Sequence, residues 1–267
     1  MALLIVENLT VLPPRARENR WGRIRPQEDA RPLVDEVSFS IPPSQSVAII
    51  GEKDSGTLPL AFALTGLTSI ASGRIVFQDR ELSNLRESQR RALRRQMPIL
   101  FADEFNSLPP DRSIGQTLVA AHANGGGSRD KGERIREIER AMDRAGASLS
   151  LRDKRPAEIA AVDRQRVALA RALLQQPRLI VLHEFTRGLD PASRAPLVNR
   201  LSDLQEDLGL SYLMLTSELA LADHFAPELH VMTRGKIVDS GPRETIINDP
   251  QHDYTKRLIQ TAVLRHH

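Results

Sequence analysis

The chain has no cysteine in 267 residues, which excludes disulfides, thiolate zinc sites and cysteine-ligated iron–sulfur clusters. It also lacks a dominant charge. Its 37 basic residues face 34 acidic ones, and the net +3 is too mild to argue for nucleic acid. No apolar run approaches the roughly 20 residues that cross a bilayer. Residues 1–6 are apolar but have no basic leader and meet Glu7 at once, so they read as a strand rather than a signal peptide. There is no Gly-x-Ser-x-Gly elbow, which argues against a serine hydrolase. The histidines His122, His183, His224, His230, His252, His266 and His267 show no ligand spacing, and no metal site is expected from them. No internal repeat or low-complexity segment is present. With 40% hydrophobic residues the chain can bury one large core, or a core with a subdomain.

What is present is organised around Val47-Ala-Ile-Ile-Gly-Glu-Lys-Asp-Ser-Gly-Thr-Leu-Pro-Leu60. This stretch reads as a buried strand, a glycine-bounded loop and the start of a helix. The spacing Gly51-x-x-x-x-Gly56 is that of a phosphate-binding P-loop. In such a loop the backbone N–H groups and the helix N-terminus face the phosphates, a lysine reaches the β/γ oxygens and a hydroxyl holds Mg²⁺. Here the lysine position is Thr57 and the hydroxyl position is Leu58.

Residues 33–41, 46–50, 73–77, 98–101, 179–182 and 211–216 read as strands, and residues 3–11 as an edge strand. Residues 60–67, 85–96, 164–173, 196–208 and 218–225 read as helices, with a terminal hairpin over 229–232 and 236–239. Residues 111–150 are mostly helical, broken by Gly125-Gly-Gly127, and predict a helical subdomain. Residues 13–32, arginine-rich and containing Trp21, read as a solvated loop, with lipid contact the lesser alternative. Buried strands alternating with helices predict a mostly parallel α/β sheet.

The helix Arg164-Gln-Arg-Val-Ala-Leu-Ala-Arg-Ala-Leu173, followed by an apolar strand and Glu184, resembles an ABC-transporter ATPase subunit, and the resemblance covers nearly the whole chain. The tail Asn248-Asp-Pro-Gln-His-Asp-Tyr-Thr-Lys-Arg-Leu258 and the loop Phe101-x-Asp103-x-x-x-Ser107-Leu108 look like the dipeptide/oligopeptide/nickel importer subfamily. Gly209-Leu-Ser-Tyr-Leu-Met-Leu215 looks like its second ATPase subunit. The resemblance implies an α/β P-loop NTPase core with a mostly parallel sheet, an N-terminal antiparallel β part and a helical subdomain inserted at about 103–160. It places an ABC ATPase domain at 1–240 and a C-terminal extension at 241–267. It implies ATP and Mg²⁺ as cofactors. The implied partners are a second, intact ATPase subunit, two membrane permease subunits and, indirectly, a substrate-binding protein. The implied location is cytoplasmic, peripheral on the inner face of the cell membrane through the permeases.

Position by position, the working residues of that family are replaced. The phosphate loop is Gly51, Glu52, Lys53, Asp54, Ser55, Gly56, Thr57 and Leu58, with Asp54 where a glycine is usual and Lys53 a lesser candidate for the missing lysine. The glutamine of the next loop is Ala102. The Leu-Ser-Gly-Gly-Gln signature is Ile159, Ala160, Ala161, Val162 and Asp163. The Walker B aspartate is His183 and the switch histidine is Ser217, while the catalytic base position, Glu184, and the D-loop acid, Asp190, are kept. A hydrogen bond to a charged group contributes roughly 1.5–3 kcal/mol, so losing the lysine and the hydroxyl costs about 3–6 kcal/mol. That is about two to four decades of affinity. Weak or absent ATP binding is therefore expected. In the head-to-tail dimer that the resemblance implies, both composite sites would be impaired. The alternatives are an ATP-hydrolysing importer subunit and a soluble regulator that keeps the fold without docking on a transporter.

Overall fold

A computed structural model describes residues 2–14, 31–82, 85–102 and 107–264. Most of the arginine-rich stretch, together with Asp103, His266 and His267, lies outside the described residues.

Two sheets organise the chain. The first is antiparallel, in the order β2-β1-β4-β5, built from β1 (Leu4–Val11), β2 (Val34–Ile41), β4 (Ser72–Phe77) and the short β5 (Arg80–Glu81). Here one expectation is corrected. β1 is an inner strand, paired with β2 on one side and β4 on the other. Its alternation of Leu4, Val6, Leu9 and Val11 reports one buried face, and that pattern is the same at an edge and in the middle of an antiparallel sheet.

The second sheet has the order β10-β9-β3-β8-β7-β6. It comprises β3 (Ser46–Ile50), β6 (Ile99–Phe101), β7 (Leu179–His183), β8 (Ser211–Thr216), β9 (Glu228–Thr233) and β10 (Lys236–Pro242). Its pairs are parallel except β9 with β10. The continuous apolar runs of β3, β7 and β8 arise because both faces are covered. Val47, Ile49, Leu179, Val181, Leu213 and Leu215 pack into one core with β1, β2 and the helix α1 (Thr57–Leu64). Ala48, Ile50, Ile180, Leu182, Tyr212 and Met214 pack into a second core on the opposite face. There they meet α5 (Ala161–Leu173), α6 (Pro191–Leu208) and α7 (Leu219–Phe225).

α2 (Glu87–Gln96) leads into β6. The helical insert consists of α3 (Ile114–Asn124) and α4 (Lys131–Arg144), both packed on α5. Ser113 and Gln116 cap α3 reciprocally, at 3.2 and 3.0 Å, and Asp130 accepts the Glu133 N–H at 2.7 Å to start α4. The glycine run 125–127 lies between these two helices. Two further helices follow the hairpin: α8 (Arg243–Asn248) and α9 (Asp253–Leu264). No helix among the described residues is long and apolar enough to cross a membrane.

Candidate functional site

In an open α/β sheet, ligands sit beyond the carboxyl ends of the parallel strands. At that edge the loops after β3, β7 and β8 are stitched together. The Gly51 N–H donates to the Thr216 carbonyl at 3.0 Å, the Glu184 N–H to the Leu215 carbonyl at 2.8 Å, and the Ser217 N–H to the Glu184 carboxylate at 2.8 Å. An open groove of about 1970 Å³ runs along this edge, lined by the phosphate loop, His183, Glu184 and Ser217.

The loop keeps its cradle shape. A Cβ on Gly56, whose φ is 110°, would sit 2.5 Å from the Leu33 carbonyl oxygen and 2.8 Å from the Met232 methyl, so only glycine fits there. Gly56 is also the residue from which α1 starts, with Pro59 accommodated in its first turn. The Ser55 N–H donates to the Glu52 carbonyl at 3.0 Å, and the Gly235 N–H donates to the Ser55 carbonyl at 2.7 Å. Asp54 stands in the left-handed region at φ 65°, which costs a non-glycine residue roughly 1 kcal/mol. Glu52, Lys53 and Asp54 are exposed, and Thr57 is buried at the start of the helix.

The donor set does not fit Mg²⁺ with a triphosphate. Mg²⁺ takes oxygen ligands in octahedral geometry. Leu58 offers none, and Ala102 is a fully buried methyl whose N–H donates to the His183 carbonyl at 3.2 Å. His183 is buried at the end of β7, and burial holds its pKa down at about 4, so the ring is neutral at physiological pH. Its ring lies 5.9 Å from that of Phe101, which in turn lies 5.9 Å from that of Phe62. No group of three or more His, Asp or Glu among the described residues is placed to hold a metal ion. Nor is the groove strongly positive. Lys53, Arg187, Arg234 and Arg257 share it with Glu52, Asp54 and Glu184, and Arg194 is paired with Glu218. Little field is left to draw in a polyanion.

Glu184 is backed into this wall. Burial pushes its pKa up, the Ser217 side chain and N–H offset part of that rise, and its φ is 49°. Its visible role is to tie the end of β7 to the end of β8. Asp190 caps α6, accepting from the Ser193 N–H at 2.9 Å and the Ser193 hydroxyl at 2.6 Å, and these bonds hold its pKa low. Both acids have structural partners of their own.

Ala160, Ala161, Val162 and Asp163 lie apart from the groove lining, at the start of α5. Ala160 occupies the N-cap without a side chain able to cap, and Asp163 sits in the first turn paired with Arg166 at 3.1 Å. The positive end of the helix is thus faced by the chain's own carboxylate. Gln165 joins the site without a sequence signature. Its buried side-chain amide donates to the carbonyls of Phe101 at 2.9 Å and Phe185 at 2.7 Å, joining the Ala102 loop to the Glu184 loop. Its position inside an amphipathic helix gave no signal of this. Tyr254 also lines the groove, a place that its tail motif does not signal.

A parallel sheet with a glycine-bounded loop at its carboxyl edge and a helical insert defines a P-loop nucleotide-binding cassette. Residues 34–187 match the ABC transporter family model, and the chain belongs to that family as an ATP-binding domain. It is 32% identical over 263 residues to the "Probable peptide ABC transporter ATP-binding protein y4tS" of Sinorhizobium fredii, covering 98% of this chain and 72% of that protein. It is 31% identical to the glutathione import ATP-binding protein GsiA of Escherichia coli O157:H7 over 226 residues, 85% of this chain. It spans only 36% of the length of GsiA. Among solved structures it shares the fold of cbiO1 from Clostridium perfringens, part of the ABC transporter complex cbiONQ, with TM-score 0.78, 22% identity and coverage of 100% of this chain and 99% of that one. It shares it also with the ATP-binding cassette MJ0796 in a dimer bound to ADP and Pi, with TM-score 0.76, 18% identity and coverage of 90% and 98%.

Proposed function

We propose that this chain is a nucleotide-binding-domain subunit of a peptide-type (or nickel) ABC importer whose own ATP binding and hydrolysis are lost or strongly impaired. It acts as the structural partner of an intact ATPase subunit. Together they dock on two permease subunits at the inner face of the cell membrane, fed by a substrate-binding protein. The relatives named for peptide and glutathione import support the transporter half of this reading.

One observation carries the other half. The groove presents Thr57, Leu58 and a neutral His183 where charge and oxygen ligands are needed, and Ala102 is a buried methyl behind it. Phosphoryl transfer is mostly positioning and charge neutralisation by lysine and metal, and Glu184 alone has neither to work with. At the other half-site, Ala160 has no hydroxyl to offer a γ-phosphate, and Asp163 brings a carboxylate that repels one.

The test is ATP hydrolysis by a reconstituted heterodimer of this chain with its intact partner. Turnover far below that of an intact pair is expected. A rate equal to that of an intact pair would overturn the reading in favour of an ordinary ATP-driven subunit.

A further inference from the structure

The groove lies at the carboxyl edge of the parallel sheet, and a concentration of charge lies at the amino edge. α2 runs into β6 there, and the stretch from Arg86 to Arg95 contains five arginines and one acid, Glu87. The whole chain nets only +3, so this one helix carries a positive excess larger than that of the entire molecule.

The helix sets that charge on one side. Leu93 and Met97, four residues apart, fall together and are buried in the core shared with β1, β2 and α1. At 3.6 residues per turn, Arg90, Arg94, Arg91 and Arg95 follow from that buried face around to the outer one, within an arc of about 140°. Arg90 and Arg94 are half-buried on the flank, and Arg91 and Arg95 stand exposed. The opposite flank is uncharged, with Ser88, Gln89, Ala92 and Gln96. Two links fix the arrangement. Arg90 Nε donates to the Leu85 carbonyl at 3.0 Å. The backbone N–H of Arg178, an exposed residue just before β7, donates to the Gln96 carbonyl at 2.9 Å and brings a sixth arginine to the end of the helix. Cations in a last helical turn complement the helix dipole, which accounts for Arg94 and Arg95 but not for Arg90 and Arg91.

What this face lacks decides the partner that it fits. Its apolar residues are already in the core, and residues 86–96 contain no aromatic. A protein interface is centred on desolvated aromatic and aliphatic anchors. Single-stranded nucleic acid needs stacking platforms. An anionic lipid surface needs neither, because it attracts a cluster of arginines on a helix by charge alone.

We propose that the outer face of α2, with Arg178 beside it, is a contact site for anionic lipid headgroups. The proposal draws on the membrane location of the proposed function. Binding of the isolated chain to lipid involves neither nucleotide nor a partner subunit, so either reading can fail alone.

The test is cosedimentation of the full chain with vesicles of phosphatidylcholine alone and of phosphatidylcholine mixed with phosphatidylglycerol, at low salt and at about 0.15 M. Binding to the mixed vesicles only, weakening as salt rises, is expected. Arg91→Gln with Arg95→Gln removes the two exposed charges of the outer face and should weaken that binding about 30-fold. Arg129→Gln with Arg136→Gln removes the same charge from exposed positions of the helical insert and should weaken it far less. No binding to the mixed vesicles at about 0.15 M salt would overturn the proposal. So would binding that the α2 pair leaves intact, or an equal loss in the insert pair, which would mean attraction by net charge alone. Tighter binding to a DNA duplex than to the mixed vesicles, lost in the α2 pair, would assign the face to nucleic acid and overturn it as well.

Discussion

If Glu184 is a tie between loops rather than a general base, its substitutions should follow the chemistry of one hydrogen bond and one backbone angle. The carboxylate accepts the Ser217 N–H at 2.8 Å, and a bond to a charged acceptor contributes roughly 1.5–3 kcal/mol. Burial opposes the charged form, so the lower end applies. Glu184→Ala should then destabilise the chain by about 1.5 kcal/mol. Glu184→Gln keeps an acceptor oxygen and should cost well under about 1 kcal/mol. Glu184→Gly loses the bond but relieves the left-handed φ of 49°, worth about 1 kcal/mol, and should fall between the two. Denaturant midpoints of the three variants give the ordering Ala, Gly, Gln, from least to most stable. In the reconstituted heterodimer, Glu184→Gln should leave ATP turnover where it was. A general base contributes about 10²- to 10⁴-fold, so a fall of that size on changing one carboxylate oxygen would refute the reasoning.

His183 predicts a pH dependence. Its folded pKa of about 4 lies below the ordinary 6.5, so between those values the unfolded chain binds the extra proton and stability is lost as the pH falls. Compared with His183→Leu, the natural chain should lose up to about 3 kcal/mol from pH 7 to pH 4 by denaturant titration; parallel curves would contradict the buried neutral ring. Gln165→Leu strips the donor from two carbonyls and should cost about 2–4 kcal/mol of stability, seen as a lowered melting temperature. An unchanged melting temperature would mean that the two loops do not depend on this bridge.

Much of the fold was legible because β3, β7 and β8 carry uninterrupted apolar runs, which only a doubly covered sheet explains. Ends were less legible. α5 begins at Ala161, three residues before the predicted start at Arg164, because Ala160, Ala161 and Val162 carry no capping signal. α6 begins at Pro191, with Asp190 as its cap, and accommodates inside it Pro196, the proline at which the sequence predicts the helix start. α8 and α9 give little sequence signal because Pro250 and a polar tail mask their short apolar faces. The loop and its substitutions were legible from spacing alone, since Gly51-x-x-x-x-Gly56 fixes which residue stands where. The links of Gln165 to Phe101 and Phe185 join residues 64 and 20 positions apart, and no local pattern records them.

Equilibrium binding of Mg-ATP to the purified chain at millimolar nucleotide, beside a Thr57→Lys, Leu58→Ser variant, tests the central claim most directly. The account predicts no binding by the natural chain and a gain of about two to four decades in the variant, the value of the restored lysine and hydroxyl. Saturable binding by the natural chain at physiological ATP would contradict it. The loop backbone or Lys53 would then be carrying the phosphates.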